Sequence, residues 1–338
     1  MRLLLILALL IAFFATFFAV KIWIRKAKQV GLMWEDRNKF KRPLVAGSGG
    51  VGVVTGFVLG VFAYIAIKTF VFHDNSKVIE ILALMSSILI LAGIGIIDDL
   101  LGWQHGGLSK RFRLLMCIFA AIPLVVINAG TSTMVFPFFG KVDIGLLFPL
   151  FLIPLGITGA STTFNFLAGF NGLEASQGLL ILLGLAIVSA ITGNSWLGFI
   201  LLIMAVSLLA FYKFNKFPAK VFPGDVMTYP VGGLIAIAAI LGNLEKIAFF
   251  FFMIYVAETF LKLRGGLAKY SFGKPNKDNS LEMAYNKFYG VEHIAIFMLG
   301  KIKKKVYEKD VVYFINAMQI LIILAGFAIF KNAIFSGV

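Results

Sequence analysis

The stretch LILAGIGIIDDLLGW, residues 89–103, decides how this chain is read. An apolar run of membrane-helix character ends on two adjacent carboxylates, Asp98 and Asp99. Such runs recur from end to end: 60% of the 338 residues are hydrophobic and only 14% are charged, against roughly a quarter in soluble domains. Stretches of about twenty apolar residues cross about 30 Å of hydrocarbon. The expectation is therefore an all-α, polytopic integral membrane protein, with residues 1–338 forming one membrane domain.

Hydropathy predicts about ten transmembrane helices, near 3–24, 44–67, 78–97, 112–128, 145–164, 174–192, 195–213, 226–242, 246–263 and 312–335. The first apolar run is too long for a signal-peptide core and no small-residue cleavage site follows, so it reads as a retained span. The fifth and eighth runs are interrupted by Pro and Gly. Loops then alternate in charge. Arg25, Lys26, Lys28, Arg37, Lys39, Lys41 and Arg42 fall in one loop, Lys110 and Arg111 in another, Lys216 and Lys220 in a third, and many Lys in a long loop at 264–311. The opposite loops hold little beyond Lys68, Lys77 and Lys141. Basic loops face the cytoplasm, so both termini lie on the non-cytoplasmic side. The formal net charge of +15 then reflects this bias and contact with anionic lipid rather than nucleic acid. Cys117 reads as a packing residue, and the three histidines, without ligand spacing, read as surface residues. Residues 280–305 carry apolar positions at helical spacing and a basic end, which suits either an interfacial amphipathic helix or a connector.

On this topology, three polar elements share the cytoplasmic face. Carboxylates near a helix C-terminus oppose its dipole, and acids at membrane depth are functional candidates, so Asp98 and Asp99 stand out. TTFNFLAGFNGLEASQG, residues 162–178, sets Asn165, Asn171, Glu174 and Gln177 in apolar surroundings, with Gly169 and Gly172 marking a turn. FPGD, residues 222–225, puts Asp225 just before a span, where it is either a site residue or only a helix N-cap. Lys110 and Arg113 begin another span, and Arg113 is the better partner for an acid or phosphate. Carboxylates, an amide and cations on one face suit metal-assisted phosphoryl transfer, because Mg²⁺ binds through one or two carboxylates plus substrate phosphates. Acids gathered at one interface, with no repeated halves, argue against an ion-coupled transporter.

The stretches GIIDDLLG, FNFLAGFNGLEASQG, PAKVFPGDVMTYPVGG and LEMAYNKF, spread over residues 94–288, together resemble the polyprenyl-phosphate N-acetylhexosamine-1-phosphate transferases, glycosyltransferase family 4. They are most like the archaeal and eukaryotic UDP-N-acetylglucosamine–dolichyl-phosphate branch. The resemblance implies transfer of a sugar-1-phosphate from a UDP-N-acetylhexosamine to dolichyl or another polyprenyl phosphate, with Mg²⁺ or Mn²⁺ and release of UMP, at a cytoplasm-facing site in the cell membrane. A bacterial-type enzyme acting on undecaprenyl phosphate is the alternative. By the same resemblance, Asp98 and Asp99 are catalytic and Asn165 and Asp225 hold the metal. Gly169, Asn171 and Phe222 meet uracil, and Arg113 meets phosphate. Lys39 and Lys110 are further basic candidates for substrate. A homodimer rests on the resemblance alone. Three departures from the family pattern fall partly on donor recognition: Gly47 stands where the eukaryotic members have an acid, Gly102 replaces an Asn, and RGGLAKYSFGKPNKDNS at 264–280, where the family's sugar-reading motif belongs, lacks its His.

Overall fold

A computed structural model describes residues 2–136 and 140–335. Helix α1 (Leu5–Val30) and a short ribbon, β1 (Met33–Glu35) with β2 (Leu44–Ala46), lead into α2 (Gly50–Phe70). Helices α1 and α2 pack tightly because Gly52, Gly56 and Gly60 recur every fourth residue and face Val20, Thr16 and Ala12. A Cβ at any of them would overlap α1. In a membrane, where lipid is as apolar as leucine, such close van der Waals approach is what holds helices together.

Helix α3 (Val78–His105) is followed by α4 (Lys110–Phe119) and α5 (Ile122–Val126), then by a hairpin of β3 (Thr133–Phe136) and β4 (Gly140–Asp143). A π-helical turn at Phe148–Leu152 runs into α6 (Ile153–Phe164). Helices α7 (Leu173–Ile191), α8 (Ser195–Asn215) and α9 (Asp225–Gly242) come next, and then α10 (Glu245–Phe251) and α11 (Met253–Arg264). The long loop holds the ribbon β5 (Lys274–Pro275) with β6 (Leu281–Glu282) and helix α12 (Val291–Gly300). The chain closes with α13 (Glu308–Ile329) and α14 (Lys331–Phe335).

Among the described residues, seven helices are long and apolar enough to cross a membrane: α1, α2, α3, α7, α8, α9 and α13. The chain is thus a largely helical integral membrane protein. The three other expected spans are broken or short. The run at 112–128 breaks between α4 and α5 ahead of Pro123, which lacks the N–H a helix needs. The run at 145–164 is 148–164 and mixes π and α geometry. The run at 246–263 breaks at Phe252, whose backbone leaves the helical region (φ −88°, ψ 7°).

Helix α9 is the centre of the molecule and is buried almost throughout. Its small residues let neighbours in: Gly232 lies against the α6 backbone at Ala160, and Gly233 against Leu91 of α3. Gly95 of α3 lies against the backbone of Asp225 and Val226. Helices α3 and α6 therefore clasp the first turns of α9, which is the geometry that sets the site.

Helix α12 turns Val291, Glu292, His293, Ala295, Ile296 and Leu299 inward and leaves Phe297 and Met298 exposed. His293 is thus a buried residue, not the surface residue expected, because the helix that carries it packs on the membrane domain. Its Nδ1 accepts the Tyr289 N–H at 3.2 Å. His73 is exposed, as expected.

Candidate active site

Helix α3 does not end at the acidic pair. It continues to His105, so Asp98 and Asp99 project from an intact helix into its neighbours. Asp99 accepts the backbone N–H of Asp225 at 2.8 Å and of Val226 at 3.4 Å. Those are orphan donors of the first turn of α9, so Asp99 caps that helix from another helix and meets the positive end of its dipole. The residue in the usual cap position, Gly224, has no side chain and a φ of +72°, and a Cβ there would overlap the Asp99 carboxylate. The N-cap alternative for Asp225 therefore falls away, and its carboxylate is free to face the site.

Asp98 accepts the Leu108 N–H at 2.6 Å and pairs with Arg113 at 2.7 Å. The same guanidinium nitrogen of Arg113 lies 3.6 Å from Asp225. Asn165, at the C-terminus of α6, donates to Asp225 at 2.9 Å and accepts from Thr228 at 3.2 Å. Tyr229 donates to Asp98 at 3.4 Å. Four helices and a loop thus bring Asp98, Asp99, Asn165, Asp225 and Arg113 into one connected group. Thr228 and Tyr229 were missed from sequence, although they sit three and four residues after Asp225, on the same helix face.

A divalent cation fits this group. Asp98 and Asp225 already converge on one cation, the Arg113 guanidinium, and every further donor is a hard oxygen. Among the described residues no three carboxylate, imidazole or thiol groups form a complete cage. An ion taking one or two carboxylates and completing its shell with phosphate and water is what such a partial set suits.

A second buried network lies beside the first. Asn171 follows Gly169, whose φ of +100° makes the predicted turn. The Asn171 backbone N–H donates to Glu308 at 2.7 Å, and its side-chain amide to Glu308 at 2.9 Å and Asp36 at 3.2 Å. Its carbonyl oxygen accepts the Ala219 N–H at 2.7 Å. Lys39 pairs with Glu308 and, at 3.2 Å, with Asp36. Asn38 donates to the Gly169 carbonyl at 2.8 Å. The side chains of Lys39 and Asn171 are therefore engaged in joining the β1–β2 segment, the 169–172 turn and α13. Asp36, Asn38 and Glu308 were missed, because nothing local marks residues that meet across most of the chain.

Phe222 is half-buried and held through its backbone: its N–H donates to Ala46 and its carbonyl accepts from Gly49, both at 2.8 Å. The long loop folds back here. The Phe272 ring lies against Gly169, and Arg37 stacks over Tyr270 and Phe272 at 5.2 and 5.6 Å. Lys110 is exposed, outside the acidic group, and donates to the Leu267 carbonyl at 3.3 Å.

The base of that loop is closed by Glu258, which accepts the Val291 N–H at 2.6 Å and lies 3.5 Å from Lys262. Glu292 beside it is fully buried, with both carboxyl oxygens unpartnered among the described residues. Burial, reinforced by the Glu258 charge, pushes its carboxyl well above the usual 4.5. The native state then holds a proton that the unfolded chain releases. Stability falls as pH rises above about 4.5 toward the native value, by at most about 1.4 kcal/mol per pH unit. Glu292→Gln removes that slope, so unfolding in detergent followed from pH 5 to 8 becomes flatter than wild type. An unchanged slope shows that the carboxyl is ionised in the fold.

A family model described as glycosyl transferase family 4 matches residues 81–243, which hold Asp98, Asp99, Arg113, Asn165 and Asp225. A protein of Sulfolobus acidocaldarius named as a UDP-N-acetylglucosamine–dolichyl-phosphate N-acetylglucosaminephosphotransferase is 32% identical over 94% of this chain and 93% of its own. The Dictyostelium discoideum protein of that name is 29% identical over 67% of this chain and 63% of its own. A phospho-N-acetylmuramoyl-pentapeptide-transferase of Clostridium botulinum is 32% identical over 53% of this chain and 57% of its own. The similarity to the first of these runs nearly end to end and takes in both buried networks, and the chain belongs to glycosyl transferase family 4.

Proposed function

We propose that this protein transfers N-acetylglucosamine-1-phosphate from UDP-N-acetylglucosamine to dolichyl or a related polyprenyl phosphate, releasing UMP. The observation that carries the reading is the meeting of Asp98, Arg113, Asn165 and Asp225 in one connected group, in a molecule whose helix α6 also walls an apolar groove. That groove encloses about 540 Å³ between α6, α9, α10 and α11. Gly156 and Gly159 leave it open, and Thr163 lies two residues before Asn165. An isoprenoid chain suits such a wall. The relatives' names supply the donor and acceptor.

In the reaction, an oxygen of the acceptor phosphate attacks the sugar-bearing phosphorus of the donor. The bond from that phosphorus to the oxygen shared with UMP breaks, and UMP leaves with the electron pair. Arg113 offsets charge on the transferred group, and Asp98, tied to Arg113, orients it. Asp99 holds the first turn of α9 and so aims Asp225. Asp225 and Asn165 would hold Mg²⁺, which when bound neutralises charge on the diphosphate. Phe222 and the backbone around Gly169 flank the place for uracil. Ten passes, with both termini outside and this site facing the cytoplasm, complete the proposal. They follow from the basic loops 25–43, 98–111, 214–225 and 264–311.

The test is a transfer assay on purified protein with dolichyl phosphate, labelled UDP-N-acetylglucosamine and Mg²⁺, with an EDTA control. Label enters the lipid fraction, UMP rather than UDP is released, and EDTA stops both. Label that moves only with undecaprenyl phosphate or another UDP-N-acetylhexosamine corrects the substrates. No movement with any pair overturns the reading.

A further inference from the structure

Several lysines on the acidic side of the molecule are paired. Lys39 meets Asp36 and Glu308, Lys303 meets Asp310, and Lys305 meets Asp278. Lys216 and Lys309 have no carboxylate within ion-pair distance among the described residues, yet both line one cavity of about 150 Å³. Lys216 follows the last residue of α8, and Lys309 is the second residue of α13. The other walls include Tyr212 and Tyr313, each about one turn into its helix from the lysine, with Phe217 and Asn171. Tyr313 is 63% exposed on the outer face of α13.

We propose that this cavity binds the phosphate headgroup of an anionic phospholipid from the leaflet that borders the acidic site. Both helices are long and apolar enough to cross a membrane, so a cavity between their ends lies at headgroup depth. Tyrosine and lysine at that level are interfacial residues, and basic pockets between membrane helices collect anionic headgroups. Its volume equals roughly five waters at about 30 Å³ each. That admits a phosphate. The acids on either side of Lys309 are already engaged: Glu308 bonds Lys39 and Asn171, and Asp310 pairs with Lys303. Bound phosphate would tie the end of α8 to the start of α13 across the 169–172 turn.

The experiment uses the full chain in nanodiscs of phosphatidylglycerol mixed with phosphatidylcholine, with retained lipid counted by native mass spectrometry. Wild type keeps a phosphatidylglycerol that Lys216→Ala/Lys309→Ala loses, with retention weakened on the order of tenfold to thirtyfold. Lys216→Arg/Lys309→Arg keeps it. Lys301→Ala/Lys304→Ala, which removes equal charge elsewhere on the basic side, also keeps it. Equal retention by the double alanine variant overturns the proposal, as does equal loss from the Lys301/Lys304 control. In phosphatidylcholine discs, inorganic phosphate leaves thermal unfolding unchanged. Protection by phosphate that matches phosphatidylglycerol, and is lost in the double alanine variant, makes this a free-phosphate site and overturns the lipid assignment.

Discussion

Asp225→Asn leaves the protein folded and lowers transfer by about 10²–10³-fold or more, the scale of losing one preorganised electrostatic contact at a phosphoryl centre. The substitution keeps the size of the side chain, and its amide still reaches Asn165, whose own amide reorients to accept. The capping of α9 is untouched, because that rests on Asp99 and on the Asp225 backbone N–H. What changes is charge. Arg113, now 2.7 Å from Asp98 and 3.6 Å from Asp225, keeps one carboxylate instead of two. The hard oxygen pair offered to a divalent ion loses its anionic member. Mg²⁺-dependent binding of the UDP-sugar should weaken along with turnover, while the unfolding temperature in detergent stays near wild type. Turnover like wild type, with the Mg²⁺ dependence intact, would remove Asp225 from the metal-holding set.

The acidic group was legible in the sequence because each member violates a local rule. Asp98 and Asp99 interrupt an apolar helix, Asn165 sits in apolar surroundings, and Asp225 follows a Pro-Gly turn. The structure adds what those violations are for: Asp99 as the cap of another helix, and Asp98 as the partner of Arg113. The Asp36–Lys39–Asn171–Glu308 network was legible only in part. Asn171 and Lys39 stand out as candidates, but Asp36 and Glu308 look like ordinary surface charges, and the four meet only when α13 returns to the 169–172 turn. The span count was legible to the extent that hydropathy reports composition. Seven expected runs became long helices. Three did not, because proline, π geometry and the Phe252 break change the backbone without changing the apolar content. The Gly52, Gly56 and Gly60 series was present in the sequence all along, and it has meaning only beside the face of α1 that it meets.

Gly93 and Gly95, two residues apart in AGIGIIDD, provide the sharpest structural test. In an isolated helix both are equally unfavourable, by roughly 0.5–1 kcal/mol relative to alanine. Their surroundings differ. A Cβ at Gly93 meets nothing within 4 Å, whereas a Cβ at Gly95 runs into the backbone carbonyl of Asp225 and the nitrogen of Val226. Gly93→Ala should therefore be neutral or slightly stabilising. Gly95→Ala should destabilise by about 1–3 kcal/mol, the usual cost of overpacking, since the obstacle is backbone and no rotamer can give way. The displacement also opens the contacts from Asp99 to the Asp225 and Val226 N–H groups and shifts Asp225 relative to Asp98 and Arg113. A shift of about 1 Å in such a constellation costs on the order of 10²-fold in rate. Gly95→Ala should lose transfer beyond what its lost stability explains, measured well below its unfolding temperature, while Gly93→Ala keeps both. Matching behaviour of the two variants would mean that α3 does not set the position of α9, and that the acidic residues are brought together by some other contact.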